Sequence, residues 1–96
     1  MNEKNGTKRT FDVLRKAILL CLGAGQQTIN QISLRTGINW KTVELHLTYL
    51  ADRGLVKSVV FSQYVKIFEL SEQGRDVVKS VVNERITRKE ALKILR

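Results

Sequence analysis

The chain contains few of the side chains that carry catalysis or bind transition metals. It has one histidine, His46, and one cysteine, Cys21, too few for the usual four-ligand zinc site of Cys and His side chains. The phosphate-binding loop GxxxxGK[ST], the nucleophile elbow GxSxG and the zinc-binding HExxH motif do not occur in the sequence. We therefore expect a protein that is not an enzyme, with no catalytic residue, no metal site and no cofactor.

Both single residues have a structural interpretation beside the chemical one. Cys21 falls on the apolar face of a predicted helix, where a cysteine acts as a small apolar side chain. For His46 the sequence leaves three roles open, in this order of preference: packing or a backbone hydrogen bond, a phosphate contact, and catalysis or metal binding.

The feature that does point to a partner is the excess of positive charge. The 96 residues include 17 Lys and Arg against 9 Asp and Glu, a formal net charge of +8. Such an excess indicates a polyanion, either nucleic acid or an anionic membrane surface. A membrane partner is the poorer fit, because the basic residues are spread along the chain and do not form one amphipathic face. We also expect no signal peptide in the polar first ten residues, and a cytoplasmic location.

The first half of the chain predicts three helices. Thr10 precedes a helix that ends at Gly23 and Gly25, and its apolar face contains Phe11, Leu14, Ala17, Ile18, Cys21 and Leu22. Thr28 and Gln31 have the spacing of a capping box, and they start a second helix that extends to about Thr36. After a turn at Gly37, Asn39 is suited to cap a third helix, Trp40–Arg53, which Gly54 terminates.

The second half predicts a hairpin and a long helix. Residues 55–62 and 65–71 are rich in Val, Ile, Phe and Tyr, which is typical of β-strands. Ser71 then precedes a final helix. We expect this helix to run unbroken to the C-terminus, and a break near Thr87 is the alternative, since Thr87 and Glu90 form a second capping-box pattern.

Two segments resemble winged-helix DNA-binding proteins. Residues 43–56 contain the run V-x-x-H-L-x-x-L-x-x-x-G-L-V of ArsR-like and MarR-like repressors. Residues 68–74, FELSEQG, are similar to the Y-x-L-T-x-x-G element that closes the wing in small archaeal winged-helix regulators. The resemblance covers about residues 10–82. The metal-sensing cysteines of ArsR-type sensors are absent.

The resemblance implies an α+β, mostly helical fold: a winged helix-turn-helix with a three-helix core, a two-stranded hairpin wing and a long C-terminal helix. We expect a flexible basic N-terminus over residues 1–9, a DNA-binding domain over 10–71 and a dimerisation helix over 72–96. In the small archaeal regulators this last helix pairs with its twin. The apolar residues assigned to dimerisation are Val13, Leu20, Val78, Val81, Val82, Ile86, Leu92 and Leu95.

The same resemblance places helix 39–53 in the major groove of double-stranded DNA and wing 55–71 on the adjacent backbone. The predicted DNA-binding residues are Asn39, Trp40, Lys41, Thr42, Glu44, Leu45, Thr48, Tyr49, Gln63, Tyr64 and Lys66.

Several of these residues keep alternatives. Lys41 would contact guanine or phosphate, and Thr42 and Thr48 would contact DNA or bond locally to the backbone. Glu44 would accept a hydrogen bond from cytosine or pair with Lys41 or Thr48 on its own helix. Trp40 would pack partly buried or stack at DNA.

The sequence thus predicts a homodimeric transcription regulator that binds specific DNA sequences at the nucleoid, with no small-molecule ligand implied. A sequence-tolerant architectural chromatin protein of the same fold is one alternative. A winged-helix module that binds protein is another, because Glu44, Leu45 and Asp52 make the third helix partly acidic and apolar.

Overall fold

The computed structural model describes residues 10–60 and 63–94, with side chains except at residue 60 and residues 84–94. The flexible N-terminus predicted for residues 1–9 lies outside this part. The described elements are four helices and three short strands: α1 (Phe11–Leu22), β1 (Gln27–Thr28), α2 (Ile29–Thr36), α3 (Trp40–Asp52), β2 (Val56–Val60), β3 (Lys66–Leu70) and α4 (Glu72–Ile94).

The helix starts follow the local caps that the sequence predicts. The Thr10 hydroxyl accepts a hydrogen bond from the Val13 amide at 3.2 Å. Thr28 and Gln31 form the complete capping box, with each side chain accepting from the other residue's amide. The Asn39 carboxamide oxygen accepts from the Lys41 amide at 2.9 Å. These bonds satisfy amides that have no partner within their own helices.

The sheet has one strand more than the sequence predicts. β2 and β3 pair antiparallel as the expected hairpin, with Ser58 opposite Phe68. β1 pairs with the other edge of β3, with Gln27 opposite Phe68, so the strand order is β1-β3-β2. A strand of two residues is too short to show an alternating pattern. The sheet is therefore three-stranded, and β1 ties the start of α2 to the wing.

The core lies where α1, α2 and α3 meet the sheet. It contains the buried side chains Ile18, Leu19, Leu22, Ile32, Ile38, Val43, Leu47, Leu50, Val56, Phe68 and Leu70. The predicted apolar face of α1 was wrong at one end, because Phe11 is 61% exposed. Leu19, which was not assigned to that face, is buried. Phe11 stands in the first turn of α1, and its described ring contacts are with Arg15 and His46, not with the apolar core.

A junction of four residues connects α3, the wing and α4. The Ser71 hydroxyl donates to the Gly54 carbonyl at 2.6 Å and accepts from the Gly74 amide at 3.0 Å. The Ser71 amide donates to the Leu55 carbonyl at 3.0 Å. Ser71 thus caps α4 as predicted and also binds the turn that follows α3. We call Gly54, Leu55, Ser71 and Gly74 the Ser71 junction.

α4 is continuous through Thr87, which confirms the preferred prediction of one long helix. Its described contacts with the rest of the fold include Gln73, Gly74 and Val78 in its first two turns. No helix in the described part of the chain is long and apolar enough to span a membrane.

A second polar cluster joins α1 to α3. His46 is 1% exposed, and its Nδ1 accepts a hydrogen bond from the Arg15 Nε at 3.2 Å. The Arg15 guanidinium also lies 3.5 Å from the centre of the Tyr49 ring, and Phe11 meets the His46 ring edge-on at 5.0 Å. Arg53 approaches the Tyr49 ring at 5.2 Å. We call these five residues the Arg15 cluster.

Replacing Gly74 by alanine should destabilise the protein. A Cβ at Gly74 would overlap with the Leu55 carbonyl oxygen, a backbone atom of the Ser71 junction. We expect Gly74→Ala to lower the free energy of unfolding by about 1–3 kcal/mol, although alanine favours a helix by about 1 kcal/mol. Urea denaturation measures the change. Ser80→Ala, at an exposed position of α4, is the control and should change stability by less than about 0.5 kcal/mol. Equal unfolding midpoints for the two variants would contradict this account.

Stability should fall in mild acid because of His46. Burial lowers the pKa of His46 below its usual value of 6.5, and the Arg15 charge lowers it further. As the pH falls, the unfolded chain therefore takes up the proton before the folded chain does. The contribution of neutral His46 to the free energy of unfolding is fully present above pH 6.5, and it is lost as the pH falls towards the lowered pKa of the folded chain. Urea unfolding between about pH 5.5 and 7.5 measures the slope. In His46→Gln, whose amide oxygen can still accept from Arg15, the slope should vanish. An unchanged slope would assign the effect to another group.

Candidate nucleic-acid interface

The outward face of α3 is polar and accessible because the helix buries only one side. Val43, Leu47 and Leu50 point into the core. One hundred degrees per residue then places Lys41, Leu45 and Thr48 on the opposite side, where all three are exposed.

This face forms one wall of a shallow groove whose other wall is the wing. Two adjoining depressions share Ile29, Glu44 and Lys66 and together make up what we call the α3–wing groove. It is lined by Thr28, Ile29, Asn30, Trp40, Lys41, Glu44, Leu45, Thr48, Gln63, Tyr64, Val65, Lys66 and Phe68. The structure therefore brings most of the predicted DNA-binding residues of α3 together with all three from the wing.

Besides Val65 and Phe68 of the wing, three groove residues outside the wing are absent from the sequence prediction: Thr28, Ile29 and Asn30. They stand at the end of β1 and the start of α2. The pairing of Thr28 with Ile67 of β3 places them beside the wing. The capping box identified Thr28 as a helix start, but no local signal showed which element that start would face.

Aromatic and charged side chains are both exposed in the groove. Trp40 is 49% exposed and Tyr64 is 85% exposed, and the two line the same depression. Trp40 is thus partly buried and partly accessible, so both packing and stacking at DNA stay predictions. Lys41 and Lys66 supply positive charge, and Glu44 supplies a carboxylate.

Glu44 does not pair on its own helix. The Thr48 hydroxyl donates to the Glu44 backbone carbonyl at 3.1 Å and not to the carboxylate. The described residues provide the Glu44 carboxylate with no hydrogen bond or ion pair. The sequence left two alternatives open for Glu44, and the structure does not show the pairing with Lys41 or Thr48. Thr48, in turn, makes the local backbone bond that was the alternative to a DNA contact.

The remaining predicted DNA-binding residues lie outside the groove lining. Asn39 caps α3 through its side chain. Thr42 is half-buried on the flank of the helix. Tyr49 belongs to the Arg15 cluster, with its ring against the Arg15 guanidinium. A DNA contact by these three stays a prediction, as it does for the predicted residues that line the groove.

The residues assigned to dimerisation differ in accessibility. Val13 and Val82 are exposed, whereas Leu20, Val78 and Val81 are half-buried. Val78 packs against the core. The side chains of Ile86 and Leu92, and Leu95 as a whole, lie outside the described residues.

Cys21 and His46 each make a side-chain hydrogen bond, although the buried Nε2 of His46 has no partner among the described residues. The Cys21 thiol donates to the Gln27 carboxamide oxygen at 3.2 Å, and burial raises the pKa of this thiol, which disfavours the reactive thiolate. His46 is held by Arg15, so the packing role is the one that the structure shows. The described residues contain no group of three or more His, Cys, Asp or Glu side chains arranged to hold a metal ion.

Comparison with protein-family models and with curated proteins finds no match for the chain. Solved structures do match. A zinc-responsive MarR family member, Lactococcus lactis ZitR, has a TM-score of 0.70 at 22% identity and covers 99% of this chain. Streptococcus pneumoniae FabT in complex with DNA has a TM-score of 0.71 at 20% identity and covers 86% of this chain. The adhesin competence repressor AdcR from Streptococcus pyogenes has a TM-score of 0.72 at 15% identity and covers 97% of this chain.

These identities are low, so the likeness shows the fold. The chain spans 66% of ZitR, 59% of FabT and 69% of AdcR. The element order, the antiparallel sheet and these structural likenesses together show that the chain adopts the winged helix-turn-helix fold of MarR-like regulators.

Proposed function

We propose that the protein is a small transcription regulator that binds double-stranded DNA in a sequence-specific manner. The observation that carries the proposal is the α3–wing groove, in which one face of a helix and a hairpin tip present polar, basic and aromatic side chains together. α3 enters the major groove, which is about 12 Å wide and admits one α-helix. Gln63, Tyr64 and Lys66 of the wing contact the adjacent backbone.

The distribution of charge supports separate roles for base and backbone contacts. Residues 40–53 contain two basic residues, Lys41 and Arg53, and two acidic ones, Glu44 and Asp52. The net charge of +8 therefore lies outside this helix. Backbone contacts add affinity without sequence information, whereas base-edge contacts specify sequence.

The protein acts as a homodimer in this proposal. α4 displays the valines Val77 and Val82 at its surface, and Val13 of α1 is exposed as well. Residues 72–96 pair with a second copy, while residues 10–71 bind DNA. Two-fold symmetry then sets the two α3 helices about one DNA turn, ~34 Å, apart. Binding to cytoplasmic DNA would associate the protein with the nucleoid.

The alternatives differ in what they bind. A sequence-tolerant chromatin protein would bind selected and random DNA equally, and a protein-binding module would bind neither. FabT, which has the same fold, was crystallised with DNA, and this favours a DNA partner.

Binding should depend strongly on salt. Each phosphate neutralised by a Lys or Arg lowers log K by about 0.9 per tenfold increase in salt, because condensed counterions are released. Gel-shift titrations at several salt concentrations measure the slope. A binding constant that does not change with salt concentration would contradict contacts between basic side chains and the DNA backbone.

Lys41→Ala should weaken binding to the preferred sequence by about 1–3 kcal/mol if Lys41 contacts guanine, and the loss should be smaller on random DNA. An equal loss of affinity for the preferred sequence and for random DNA would indicate that Lys41 contacts phosphate. Lys16→Ala is the matched control, because Lys16 lies on α1 and pairs with Asp12 at 3.4 Å. An equal effect of both substitutions would remove Lys41 from the interface.

Val82→Asp should dissociate the dimer. A carboxylate in an apolar interface loses its hydration without gaining a partner, so we expect the dimer dissociation constant to rise about tenfold or more. Sedimentation equilibrium measures this constant. Asn83→Asp introduces a carboxylate at the next exposed position of α4 and should leave the dimer intact. A wild-type chain that sediments as a monomer would contradict dimerisation.

A further inference from the structure

Glu44 occupies the middle of the α3–wing groove, an unexpected place for a carboxylate in a surface that binds phosphate. It lines both depressions of the groove. Lys41 stands one helical turn before it on α3, and Lys66 faces it from the wing. The two cations therefore lie beside a central negative charge.

A carboxylate here is costly unless DNA supplies a donor. Next to phosphates it experiences repulsion, and once desolvated it needs hydrogen bonds. The described part of the chain does not satisfy it: the Thr48 hydroxyl bonds to the Glu44 backbone, and none of the described residues donates to the carboxylate. The donors that a helix meets on base edges of the major groove are the exocyclic amino groups of cytosine and adenine, and carboxylates pair with that of cytosine.

We infer that Glu44 is a specificity-determining residue whose carboxylate accepts a hydrogen bond from a cytosine amino group, while Lys41 and Lys66 offset its repulsion of the flanking phosphates. This inference rests on the proposed function. It assigns Glu44 an unusual energetic role, because the side chain lowers affinity for every sequence except one that places cytosine opposite it.

The test is selection of bound DNA from a random-sequence library with the wild-type chain, Glu44→Ala and Glu44→Gln. The wild-type protein should enrich cytosine at one position of each half-site. Replacing that base should weaken wild-type binding at least about fivefold. Glu44→Ala should lose the preference at that position and bind random DNA more tightly, and Glu44→Gln should shift the preference towards adenine, which a carboxamide recognises.

Asp52→Asn is the matched control, since it removes one negative charge from the exposed end of α3 outside the groove. It should keep the wild-type base preference. Circular dichroism of each variant should match the wild type, because Glu44 and Asp52 are both exposed. An enriched motif that is identical in the wild type and both Glu44 variants would overturn the inference while leaving the proposed function in place. A wild-type chain that binds no DNA would overturn both.

Discussion

The arrangement of α3 and the wing depends on the Ser71 junction. One hydroxyl serves two elements: it donates to Gly54, where the chain leaves α3, and accepts from Gly74, where α4 begins. Between these points the chain completes the whole hairpin. Gly54 has φ 75°, a conformation that glycine adopts without strain. The junction thus closes the wing at its base, and it sets how far the hairpin tip lies from α3.

The junction also gives a physical reason for the FELSEQG segment. Phe68 and Leu70 point into the core, and Ser71 follows directly at the end of β3, in position to cap α4. Gly74 follows in the first turn of α4 because the Leu55 carbonyl leaves no space for a Cβ. A small hydroxyl residue and a glycine three positions later are therefore what this corner requires.

The Arg15 cluster fixes α3 from its other side. Arg15 spans from α1 to the buried His46 and to the Tyr49 ring. The two sides of α3 are thereby distinct: one side packs and bonds to α1, and the other faces the groove. On the groove side, the side chains of Lys41 and Glu44 make no hydrogen bond or ion pair with the described residues.

The sequence by itself determined the helices, their caps and the hairpin, because these depend on residues within a few positions of one another. Thr28, Gln31, Asn39 and Ser71 all cap helices as their spacing predicts.

Tertiary structure decided the rest. Only the fold pairs β1 with β3, and so brings Asn30 into the groove. Only the packing of α1 against α3 shows that Phe11 stays exposed and that Tyr49 lies against Arg15. These outcomes depend on which distant elements meet, and helical periodicity carries no information about a partner on another element.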